Sequence, residues 1–135
     1  MPRYRLIPHT ADVGLFAYGK SLDEAFANAA YGMFAVMTNL RKVRETEERH
    51  FSIAEKDKEG LLFEWLNRLL YLFDVEHLLF RRFEVELEDT HLTAICYGEK
   101  FDPLRHRIAI GVKSATYYMM EVDEKRNRVR IVFDV

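Results

Sequence analysis

The residues best suited to chemistry in this chain stand near its two ends. Asp12 lies in the segment His9-Thr10-Ala11-Asp12-Val13-Gly14, and Asp134 closes the strand-like run Val129-Arg130-Ile131-Val132-Phe133, directly before Val135. A run that stays apolar almost to the last residue reads as a strand tied into a sheet, which fixes the Asp134 carboxylate beside the α-carboxylate of Val135. Oxygen anions held together repel one another unless a cation or a proton joins them. Carboxylate oxygens are hard ligands, so Ca2+ or Mg2+ is the matching metal, and the absence of Cys near either end argues against zinc. Where the first strand lies beside the last, Asp12 completes the site.

The remaining candidates are weaker. His9 and Asp12 form a His-x-x-Asp run that suits either a ligand pair or a general base with its orienting carboxylate, against an Asx-type turn in which Asp12 bonds backbone near Gly14. His106, between Arg105 and Arg107, sits in a loop that either faces phosphate or a protein partner or is simply exposed. Lys113, near the end of an expected strand, offers a lone cation to the acidic group or to a phosphate. Glu64 and Asn67 read as the polar face of a helix, and Cys96 as a small buried hydrophobe. The clusters Arg41/Lys42/Arg44, Arg81/Arg82, Arg105/Arg107 and Lys125/Arg126/Arg128/Arg130 read first as solvated strand or turn edges. There is no phosphate-cradling Gly-rich loop, no HExxH, no paired CxxC and no nucleophile-elbow serine, which disfavours an ordinary nucleotide-binding enzyme.

These residues must be positioned by elements the pattern predicts. Arg3 to Ile7 and Val13 to Gly19 alternate as strands, with Val13, Leu15 and Ala17 on one face and Phe16 and Tyr18 on the other. Ser21-Leu22-Asp23-Glu24 has capping-box spacing, and the stripe Leu22, Ala25, Phe26, Ala29, Ala30, Met33, Phe34, Met37 predicts a core-facing helix stopping near Asn39. Arg41 to Ile53 reads as a charged loop and an exposed strand. Asp57 caps a second helix from Gly60 to about Asp74. Then the period becomes two: Leu79 to Glu88, Leu92 to Glu99, Arg107 to Ser114, Tyr117 to Asp123 and Arg128 to Val135 are predicted strands, with hairpins at Asp89-Thr90 and Glu124 to Asn127 and a Pro-fixed turn at Phe101-Asp102-Pro103. The expectation is an α+β fold, one domain over 1–135, in which two helices pack on a mostly antiparallel, mixed sheet with the N- and C-terminal strands adjacent.

Composition agrees with a folded, soluble chain. With 135 residues, 49% hydrophobic and 31% charged, it can bury a core without disulfides, and a single Cys allows none internally. The net charge of -2 gives no global field for nucleic acid. No run approaches a membrane span and no signal-peptide pattern opens the chain, so a cytoplasmic location is expected.

Five segments in order, His9 to Gly14, Ala17 to Phe26, Trp65 to Phe73, Gly98 to Pro103 and Ile131 to Val135, resemble the archease family over essentially the whole chain. The resemblance implies an accessory protein, not an enzyme, that activates an RtcB-type RNA ligase in tRNA splicing by promoting its GTP- and metal-dependent guanylylation and its multiple turnover. It implies a metal site at Asp12, Asp134 and Val135, and a charged position important for activation at Lys113. The cofactor expected is a divalent cation, Ca2+ in a structure and Mg2+ or Mn2+ as alternatives in function. The partner expected is the ligase, with RNA contact indirect and no membrane. Two other classes stay open: a stand-alone metal-dependent phosphoester hydrolase, and a chaperone-like RNA- or protein-binding module.

Overall fold

A computed structural model describes residues 2–7 and 12–135; His9 therefore lies outside the described residues. Among the described residues two helices and seven strands follow in the order β1 (Tyr4–Ile7), β2 (Val13–Tyr18), α1 (Leu22–Met37), a 3₁₀ helix (Leu40–Lys42), β3 (Glu47–Ala54), α2 (Lys58–Glu76), β4 (Leu78–Glu88), β5 (His91–Lys100), β6 (Ser114–Asp123) and β7 (Arg128–Asp134). The α+β expectation holds, and every pairing is antiparallel. The strands are divided between two sheets, however, ordered β1-β2-β7-β6 and β3-β5-β4, where a single sheet was expected. The C-terminal strand β7 lies beside an N-terminal strand, but that strand is β2, which stands between β7 and the first strand β1.

Local chemistry sets the helix ends. Ser21 accepts the Glu24 N–H at 3.1 Å and Asp57 accepts the Gly60 N–H at 2.7 Å, each satisfying an amide that the first turn leaves open. At the other end of α2, His77 takes a left-handed conformation (φ 60) and returns its N–H to the Leu72 and Phe73 carbonyls. The predicted stripe of α1 is core: Ala25, Phe26, Ala29, Ala30, Met33, Phe34 and Met37 are all fully buried. So are Leu61, Leu62, Trp65, Leu66 and Leu69 of α2. Both helices touch both sheets, α1 against β4 and β1, β2, β7, and α2 against β6 and β3, β4, β5, so a single core serves the whole molecule. Trp65 centres it, donating its indole N–H to the Phe26 carbonyl at 3.0 Å with Phe51 and Phe83 edge-on.

One predicted strand is absent. Arg107 to Ser114 was expected to pair, yet residues 101–113 form a turn and an irregular loop, and β6 starts only at Ser114. The loop's backbone bonds go elsewhere: the Ala109 N–H reaches the Met37 carbonyl at 2.8 Å and the Arg107 carbonyl accepts the Thr38 hydroxyl at 2.8 Å. The loop is thus tied by its backbone to the end of α1, with Val112 buried, Ile108 packed on the core and Ile110 exposed.

Candidate functional site

The β2–β7 ladder runs from Tyr18↔Arg128 to Val13↔Phe133. Continued by one residue, that register sets Asp12 opposite Asp134, and residues directly opposite one another share a face of the sheet. On the other side of β7, Ser114 is the partner of Asp134, and the Lys113 N–H donates to the Asp134 carbonyl at 2.8 Å. Asp12, Asp134, Val135 and Lys113 are thus all placed by the register at one end of the four-stranded sheet. Asp134 and Lys113 are exposed, Asp12 is half-buried, and the Val135 side chain packs on the core. Lys113 reaches this end from a loop, and not from a strand as expected.

Two carboxylates placed just past the end of the β2–β7 ladder, at an open sheet end, are of the chemistry that a hard, oxygen-preferring divalent cation takes. Among the described residues no three His, Cys, Asp or Glu side chains form a metal-holding group. The third donor in the expected set is the Val135 α-carboxylate, which is not one of those side chains.

The loop that delivers Lys113 is anchored at its other end by a network the sequence did not announce. Glu99, near the end of β5 and 6% exposed, takes the Arg105 guanidinium on both oxygens, the Arg44 N–H at 2.8 Å and the His106 Nε2 at 2.9 Å. Burial alone pushes this carboxyl up; the donors from Arg105, Arg44 and His106 outweigh it and bring it down to about 2. His106 Nδ1 accepts the Asp102 N–H at 2.8 Å, so the ring hydrogen sits on Nε2, facing Glu99 and the Lys42 carbonyl. His106 is thus a buried structural residue (5% exposed), and neither the exposed nor the phosphate-facing reading of it holds. Reasoning from sequence also missed Asn67, whose side chain accepts the Ala115 N–H at 2.8 Å and donates to the Ala115 carbonyl at 3.1 Å, clamping the start of β6 to α2. Its position one turn from Glu64 suggested only a solvated face. Glu64 meets that expectation, pairing with Arg68 at 3.3 Å. Cys96 is fully buried, and burial pushes its thiol up, away from the reactive thiolate.

Comparison with known proteins adds an independent line. Residues 4–135 match the model of the Archease protein family (MTH1598/TM1083). The chain is 41% identical over 137 residues to Protein archease of Sulfurisphaera tokodaii, covering 100% of this chain and 99% of that protein. It is 41% identical over 128 residues to Protein archease of Pyrococcus abyssi, covering 92% and 90%. The solution structure of Methanobacterium thermoautotrophicum protein 1598 superposes with a TM-score of 0.79 at 33% sequence identity, covering 100% of both chains.

Proposed function

The chain belongs to the archease family, and from that premise we propose that it is a non-catalytic accessory protein that activates an RtcB-type RNA ligase in tRNA splicing. Asp12, Asp134 and the α-carboxylate of Val135 hold a divalent cation, and Lys113 supplies the adjacent positive charge. What supports the reading is the β2–β7 register, which aligns Asp12 with Asp134 at an exposed sheet end that a partner can reach. A divalent cation held by these carboxylates, Ca2+, Mg2+ or Mn2+, would supply positive charge for a triphosphate during the ligase's guanylylation. The chain's own residues orient and present. Asp134 is held on β7, Asp12 stands one residue before β2, and Lys113 is tethered through its backbone to Asp134, so little ordering remains to be done on docking.

The test uses Asp12→Ala and Asp134→Ala. Both side chains lie outside the core, so the variants keep the wild-type far-UV circular dichroism and melting temperature. Stimulation of GTP-dependent ligase guanylylation falls at least tenfold, roughly the loss expected when a metal ligand set is broken, and calorimetric Mn2+ binding falls with it. Full stimulation by both variants refutes the reading.

A further inference from the structure

Arginines from three separate segments converge on one cleft away from the carboxylate pair. Arg3 before β1, Arg41 in the 3₁₀ helix, and Arg81 and Arg82 of β4 line a concavity of about 430 Å³ together with Tyr31 on α1. Two carboxylates, Glu24 and Glu45, share the lining, leaving an excess of positive charge. Glu45 is already committed, bridging Arg81 Nε at 3.2 Å and Arg82 Nε at 2.8 Å. Among the described residues no carboxylate lies within ion-pair distance of Arg3 or Arg41, and both are exposed. The Arg3 guanidinium stacks over the Tyr31 ring, 4.2 Å from its centroid. One planar face is thereby covered by the ring, which leaves the other for a second flat group and the N–H edge for an anion.

Bare arginines at isolated strand edges would be ordinary surface. Here they are gathered into a concavity of nucleotide size, with an aromatic-backed guanidinium and open donor edges, which is the chemistry that recognises a base and its phosphate together. We propose that this cleft binds the phosphate-and-base unit of a nucleotide, free or within single-stranded RNA, with Arg41 and Arg3 on the phosphate and the open face of Arg3 under the base. The site is separate from the carboxylates: Arg3 precedes the Tyr4↔Ala17 end of the β1–β2 ladder, whereas Asp12 lies beyond its Ile7↔Gly14 end. It assigns a direct RNA contact where the sequence suggested an indirect one, and it stands whether or not the carboxylate pair binds metal.

Fluorescence anisotropy with labelled oligouridine tests it at low salt, with uridine monophosphate as competitor. Arg3→Ala/Arg41→Ala weakens binding at least about tenfold and lowers the salt slope by about 0.7, the value for one phosphate left without its arginines. Arg41→Ala alone, an exposed change that leaves the stacked Arg3 in place, shows a partial loss. Lys56→Ala/Lys125→Ala, which removes the same charge from exposed turns elsewhere, stays within about twofold of wild type. Competition by the mononucleotide identifies a single nucleotide as sufficient; oligouridine binding without it, but with the same arginine dependence, assigns the cleft to the RNA chain. No oligouridine binding by the wild type, no loss in the arginine variants, or an equal loss in the lysine control overturns the proposal.

Discussion

Glu99 shows how much one side chain can carry. Its carboxylate holds the Arg105 guanidinium, the Arg44 amide and the His106 ring, joining β5 to the segment after the 3₁₀ helix and to the loop that ends at Lys113. Held at about 2 in the fold against 4.5 as its reference, it gives up its proton in the native state more readily than in the unfolded chain. Its stabilisation is therefore complete above about pH 4.5 and is lost as pH falls toward about 2. Glu99→Gln keeps the shape and removes the charge, and should cost about 2–3 kcal/mol at neutral pH. Urea midpoints measured at neutral pH and at about pH 3 check the sign: the gap between wild type and variant narrows in acid, and a constant gap would contradict the assignment. None of this was legible in the sequence, because Glu99 sits next to buried Gly98 and out of phase with the strand's alternating core positions. The positions of Asp12 and Asp134 beside strand ends were legible, because position relative to a strand end is something alternation reveals.

Between neighbouring elements, close backbone approach matters more than side-chain type. At the β4–β5 ladder the register shifts between Phe80 and Arg82, and the backbone of Leu79 presses on Gly98. A Cβ at position 98 would come far inside contact distance of the Leu79 carbonyl oxygen, a backbone atom with no rotamer to relieve the clash. Gly98→Ala should therefore cost about 1–3 kcal/mol, as overpacking does in cores. Gly111→Ala, where an added Cβ meets nothing within 4 Å, should stay within about 0.5 kcal/mol of wild type. Equal melting temperatures for the two variants would show that β4 and β5 can part without loss. The helices were readable because caps and stripe agree at Ser21 and Asp57. The loop at residues 101–113 was not, since Ile108, Ile110 and Val112 alternate as a strand would although Ile110 is exposed, and only the destination of the backbone bonds tells loop from strand.

At the scale of the molecule, alternation identifies strands without identifying partners. β3, isolated between the two helices, joins β5 through a full ladder from Glu47↔Gly98 to Ala54↔His91, and that long-range pairing is what separates a second sheet from the one containing the chain ends. Each sheet alone leaves one face of its strands without a cover, and α1 and α2 supply that cover to both sheets at once. Neither sheet can lose its helices without exposing the core of the other, so the two should unfold together. Trp65, the chain's single tryptophan, reports on the β3-β5-β4 side through Phe51 and Phe83. Amide exchange at Ile131 and Leu15, fully buried on β7 and β2, reports on the other side. Urea unfolding followed by Trp65 fluorescence and native-state exchange at those amides should yield the same free energy within experimental error. Exchange at Ile131 through an opening several kcal/mol below the fluorescence transition would instead make the β1-β2-β7-β6 sheet a separate unit. The ladder that aligns Asp12 with Asp134 would then come and go independently of the rest of the fold.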